Sequence, residues 1–74
     1  MKKYIVYANF PFNIIGGGVQ NKIKQFNCLA NTAEEAIDFI KKTIDRDGDT
    51  SVNYNGNTYE IPLKSGVVTE AVLA

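Results

Sequence analysis

The chain has 74 residues, with eight Lys or Arg balanced by eight Asp or Glu, no histidine and a single cysteine. That length makes one domain with a small core, and the missing histidine removes the commonest general base and neutral metal ligand. Cys28 has no second cysteine to bridge to, which excludes a disulfide-stapled fold and favours a reducing compartment such as the cytoplasm.

No apolar run is long enough for a membrane-spanning helix, so no membrane association is expected. The folded surface expected for this mass is about 4,500 Å²; so thin a core would gain from a homodimer or a tight partner. Charge is uneven along the chain. Residues 1–33 carry Lys2, Lys3, Lys22 and Lys24 and no acid (+4), whereas residues 34–74 carry eight acids against Lys41, Lys42, Arg46 and Lys64 (−4). This either marks a basic binding face or reflects two unlike surfaces of one domain.

In chain order, Tyr4-Ile5-Val6-Tyr7-Ala8 is aromatic and β-branched and predicts a strand. Both of its faces look apolar, which places it centrally in a sheet. Lys2 and Lys3 before an apolar stretch resemble a signal peptide only faintly, because Asn9, Pro11 and Asn13 interrupt it and no A-x-A site follows. Residues 10–21 (Phe10-Pro11-Phe12-Asn13-Ile14-Ile15, Gly16-Gly17-Gly18, Val19-Gln20-Asn21) predict a twelve-residue loop. Pro11 should break the ladder, and three glycines permit almost any backbone path. From Lys22 to Leu29 the alternation of Phe26, Cys28 and Ala30 predicts a strand pairing with the first. Val19, Ile23, Phe26 and Ala30 also share a helical face, so a helix stays open there.

Thr32-Ala33-Glu34-Glu35 is a capping box that starts a helix over 33–45. Ala33, Ala36, Ile37, Ile40 and Ile44 form its apolar stripe, with Phe39 at the margin; Glu34 and Glu35 suit the dipole of the first turn, and Gly48 is the stop. Asn55-Gly56 is the preferred type I′ hairpin turn. It sets Val52 opposite Tyr59 and Tyr54 opposite Asn57, so Val52, Tyr54, Tyr59 and Ile61 share a face, with Asn53, Thr58 and Glu60 on the other. Pro62 ends that strand, Lys64-Ser65-Gly66 turns, and Val67 to Leu73 is a last strand. The expected fold is α+β: one amphipathic helix on a mainly antiparallel sheet, in the order β-β-α-β-β-β.

The chemistry-bearing patterns are incomplete. Gly16-Gly17-Gly18 followed by Lys22 lacks the G-x-x-x-x-G-K-[ST] spacing of a phosphate loop. Asp45-Arg46-Asp47-Gly48-Asp49 begins like a calcium loop, but the positions needing Gly and Glu hold Thr50 and Gly56. Cys28 has no His partner and reads as a small core residue; Tyr54 and Tyr59 read as cross-strand packing residues. No catalytic residue, metal site or cofactor is expected.

The segment hardest to explain structurally is Phe10, Phe12, Ile14 and Ile15 beside the glycines. It either completes the core or forms a partner surface, with Gly17 giving it freedom and Lys22 and Lys24 flanking it. A lysine ribbon with aromatics also admits a nucleic-acid-binding reading.

The layout, a strand pair running through Ala30-Asn31-Thr32-Ala33-Glu34-Glu35-Ala36 into an amphipathic helix and further strands, resembles small phage and mobile-element proteins of the anti-CRISPR or anti-defence inhibitor type. That resemblance implies a non-enzymatic inhibitor that occupies a host protein's surface in a bacterial cytoplasm. The alternatives from other classes are a small-ligand or nucleotide sponge and a nucleic-acid-binding module using Lys22 and Lys24.

Overall fold

The computed structural model describes residues 1–74 and has the expected element order. Strands β1 (Lys2–Asn13) and β2 (Val19–Ala30) form an antiparallel hairpin in unbroken register, from Lys2 opposite Ala30 to Asn13 opposite Val19. Helix α1 (Ala33–Ile44) follows, then the hairpin β3 (Asp49–Tyr54) and β4 (Asn57–Pro62), a single 3-10 turn at Leu63–Ser65, and β5 (Val67–Leu73). β5 pairs antiparallel with the free side of β1, giving a three-stranded sheet ordered β2-β1-β5; β3 and β4 form a second sheet of two strands. β1 is therefore the central strand, and residues 19–30 are strand rather than helix.

The twelve-residue loop expected at 10–21 is not there. β1 continues through Phe10 and Phe12 because they extend the period-2 set begun by Tyr4, Val6 and Ala8, and all five are buried on one face. Pro11 is tolerated for a topological reason. The last β1–β5 pair is Asn9 with Val67, so beyond Asn9 the strand has a neighbour on one side only. The connection shrinks to residues 14–18. There Gly16, Gly17 and Gly18 adopt φ of 99°, 102° and 93°, the left-handed region that side-chain-bearing residues avoid.

Two elements share the task of covering the buried face of the long hairpin. α1 lies over the end nearer the termini, placing Ala36, Ile40 and Ile44 against β5 and β2. Its cap differs in one detail from the expected reciprocal box. The Glu35 amide donates to Thr32 Oγ1 at 3.2 Å, but the Glu35 carboxylate accepts from the Asn31 amide rather than that of Thr32. The β3–β4 hairpin covers the far end. Its turn has positive φ at both Asn55 (49°) and Gly56 (79°), as the sequence predicts, and it buries Val52 and Ile61. The Phe12 ring sits between Tyr54 and Tyr59, with centroids 5.9 and 5.2 Å away.

A bulge in β5 decides which side chains face out. Tyr7 pairs with Glu70 but Ala8 pairs with Val68, leaving Thr69 as the extra residue. Strict alternation would put Val68 on the face of Glu70. The bulge turns Val68 inward together with Ala71, and both pack on the core. The result is a slab of 44 × 23 × 16 Å. Its surface of 4970 Å² exceeds by roughly a tenth the about 4,500 Å² expected for its mass.

Candidate functional site

The tip of the β1–β2 hairpin is built rather than loose. Within it the Ile14 amide donates to the Gly18 carbonyl and the Gly17 amide to the Ile14 carbonyl, both at 3.1 Å. The Gly17 amide is thereby occupied inside the turn. The Ile15 amide donates to the hydroxyl of Tyr59 at 3.1 Å, tying the tip to β4. Ile14 is half-buried and leans on the core, whereas the Ile15 side chain is 75% exposed. A fixed backbone thus presents one large apolar side chain to solvent.

The seven residues expected to form a partner surface divide accordingly. Phe10 (0% exposed) and Phe12 (7%) are core residues of this chain, so they are withdrawn from that surface. The physical reason is the strand alternation, which turns both rings onto the covered face, Phe12 against Tyr54 and Tyr59 of β3–β4 and Phe10 against Gly66. Ile15, Gly17 and Lys22 are exposed at or near the tip. Lys24 is engaged internally: its ammonium donates to Thr50 Oγ1 at 2.7 Å and to the Ser51 carbonyl at 2.9 Å, fastening β3 beneath β2. Lys22 and Lys24 lie on the same face as the buried Phe10 and Phe12, so a basic ribbon carrying exposed aromatic rings does not form.

Elsewhere the surface is shallow. A hollow of about 400 Å³ lies between the end of α1 and β5, lined by Lys41, Ile44, Lys64, Gly66 and Val68 among others. A second of about 280 Å³ borders Phe12, Tyr59 and Ile61. Every buried residue is apolar, and Cys28 is one of them. No three His, Cys, Asp or Glu side chains converge. At the acidic turn, Asp47 forms an exposed ion pair with Lys64 at 3.0 Å.

The feature that sequence reasoning missed is the second face of the three-stranded sheet. α1 and β3–β4 both lie on the other side, so this face has no cover. It carries half-buried Ile5 and Tyr7 on β1, Ile23 (62% exposed) and Leu29 (66%) on β2, and Val67 and Val72 on β5. The signal was present in β2, where Ile23 and Leu29 are out of phase with Phe26, Cys28 and Ala30. Register with β1 was needed to show that they share a face with Ile5 and Tyr7. No protein-family model, curated protein or solved structure matches this chain.

Proposed function

We propose that the chain is a non-enzymatic binding protein that seats the tip of its β1–β2 hairpin on the surface of a partner protein. One observation carries this reading: Ile15 is exposed although its backbone is held on both sides and by the Tyr59 hydroxyl. An isoleucine at a turn tip adds nothing to this chain's own core. Pre-ordered backbone lowers the entropy lost when such a side chain enters a partner's pocket, which is the usual economy of an interface anchor. Lys22 stands nearby as a rim charge.

The resemblance in layout supports a narrower form of the reading, a phage-encoded inhibitor that occupies a component of a bacterial defence system in the host cytoplasm. The test is affinity capture from bacterial lysate with and without nuclease, using the wild-type chain and Ile15→Ser. The expected result is a defined protein, recovered despite nuclease and lost with Ile15→Ser while circular dichroism stays native. Equal recovery by the variant would remove the tip from the site. Recovery abolished by nuclease would transfer the reading to nucleic acid.

A further inference from the structure

We propose that a second copy of this chain covers the open face of the three-stranded sheet, forming a twofold dimer of stacked sheets. An uncovered face holding Ile5, Tyr7, Leu29 and Val72 leaves the apolar surface of a two-layer slab half unused. Sheet-on-sheet packing is a common way to bury such a face.

The charges on the face identify the occupant. It holds one cation, Lys3, and one anion, Glu70, and neither has an ionic partner within the chain. Lys3 lies on β1 two residues before Ile5. Glu70 lies on β5 opposite Tyr7, two residues before Val72, and Val72 is the partner of Ile5. The two charges therefore flank the Ile5–Val72 pair from opposite directions along the strands. A twofold axis lying in the interface, running across the strands level with Ile5 and Val72, sets each copy's Lys3 over the other's Tyr7, one strand spacing of about 4.8 Å from its Glu70 and within reach of that carboxylate. It also brings Ile5 and Val72 against their own images. An isologous interface requires this self-complementarity. A partner surface of a single sign would instead leave one of the two charges unpaired in the contact.

The same axis fixes what stays uncovered. The hairpin tip lies about nine residues beyond the level of Ile5 and so overhangs the end of the other copy, which leaves Ile15 free at each end of the dimer. Ile23 and Val67 fall at the rim. With strands about 4.8 Å apart and about 3.4 Å per residue, the stacked region runs over Lys2–Ala8 of β1 and measures roughly 24 by 14 Å, so the two copies together bury on the order of 700 Å². That is the size of a weak encounter, and it predicts a reversible dimer with a Kd on the order of 100 µM.

Sedimentation equilibrium of the untagged chain from about 5 µM to about 1 mM tests it, since a dimer with a Kd on the order of 100 µM passes from mostly monomer to mostly dimer over that span. Val72→Glu is expected to give a folded monomer throughout. Lys3→Glu, which faces Glu70 twice per dimer, is expected to weaken association about tenfold, and Lys3→Glu with Glu70→Lys to restore it. A chain that is monomeric at every concentration overturns the proposal, as does a dimer indifferent to Val72→Glu. Failure of the double exchange to restore association overturns the axis. Ile15→Ser should leave the dimer intact, so failure of the tip reading and failure of this one are separately visible.

Discussion

Gly66 lies directly against the ring of Phe10: a Cβ placed on Gly66 would stand 2.5 Å from Phe10 Cε1 and 2.7 Å from Cζ. Its φ of −72° is one any residue can adopt, so space rather than backbone freedom demands glycine here. Phe10 is fully buried at the centre of β1 and cannot swing aside. Gly66→Ala should therefore destabilise the fold by about 1–3 kcal/mol through overpacking. Chemical denaturation of Gly66→Ala, Phe10→Leu and the double variant checks this. The double variant should cost less than the sum of the two, because the smaller side chain vacates the space that the new methyl needs.

Lys24 illustrates how a charge can be structural. Its ammonium reaches the Thr50 hydroxyl and the Ser51 carbonyl, so the stem crosses from one sheet to the other. Lys24→Met keeps the stem and deletes the donors. The expected loss is about 1–2 kcal/mol, concentrated in β3–β4. Amide hydrogen exchange should show faster opening across Asp49–Pro62 while β1–β5 amides change little.

Tyr59 joins two layers by two different means, packing its ring on Phe12 and accepting the Ile15 amide with its hydroxyl. The two contributions separate cleanly. Tyr59→Phe keeps the ring and should cost about 0.5–1 kcal/mol, with faster exchange at the Ile15 amide alone. Tyr59→Ala also removes the packing and should cost about 3 kcal/mol or more. Equal losses in the two variants would mean that the ring contact contributes nothing.

What could be read from the sequence follows from how local each signal is. The helix and the Asn55-Gly56 hairpin were legible because capping, periodicity and turn chemistry lie within a few residues of one another. The long β1–β2 hairpin was misjudged at Pro11, since proline reads as a ladder breaker unless it is known that β5 stops at Asn9. That fact belongs to topology. The same gap hid the burial of Phe10 and Phe12, the internal bonds of Lys24 and the open sheet face, each of which depends on what lies across a strand pair or on the layer beneath. Of the expected partner surface, Ile15 and Gly17 remained at the surface because they stand in the turn, which β4 meets only through the Ile15 amide, and Lys22 because β2 is the edge strand of its sheet.

Gly17 separates backbone strain from crowding. A Cβ there meets no atom within 4 Å, yet φ is 102°. Gly17→Ala therefore introduces no clash, and its whole cost, about 1–2 kcal/mol, comes from holding an L-residue at positive φ. The buried thiol of Cys28 supplies the readout. Labelling by an aromatic disulfide reagent should be slow in the wild-type chain and should speed up by roughly tenfold in Gly17→Ala if exposure of Cys28 requires global unfolding, the factor that about 1.4 kcal/mol gives. Gly16→Ala should behave alike, because its φ of 99° and open surroundings match. If labelling is unchanged while denaturation shows the stability loss, Cys28 opens through local fraying near Ala30 without opening of the hairpin.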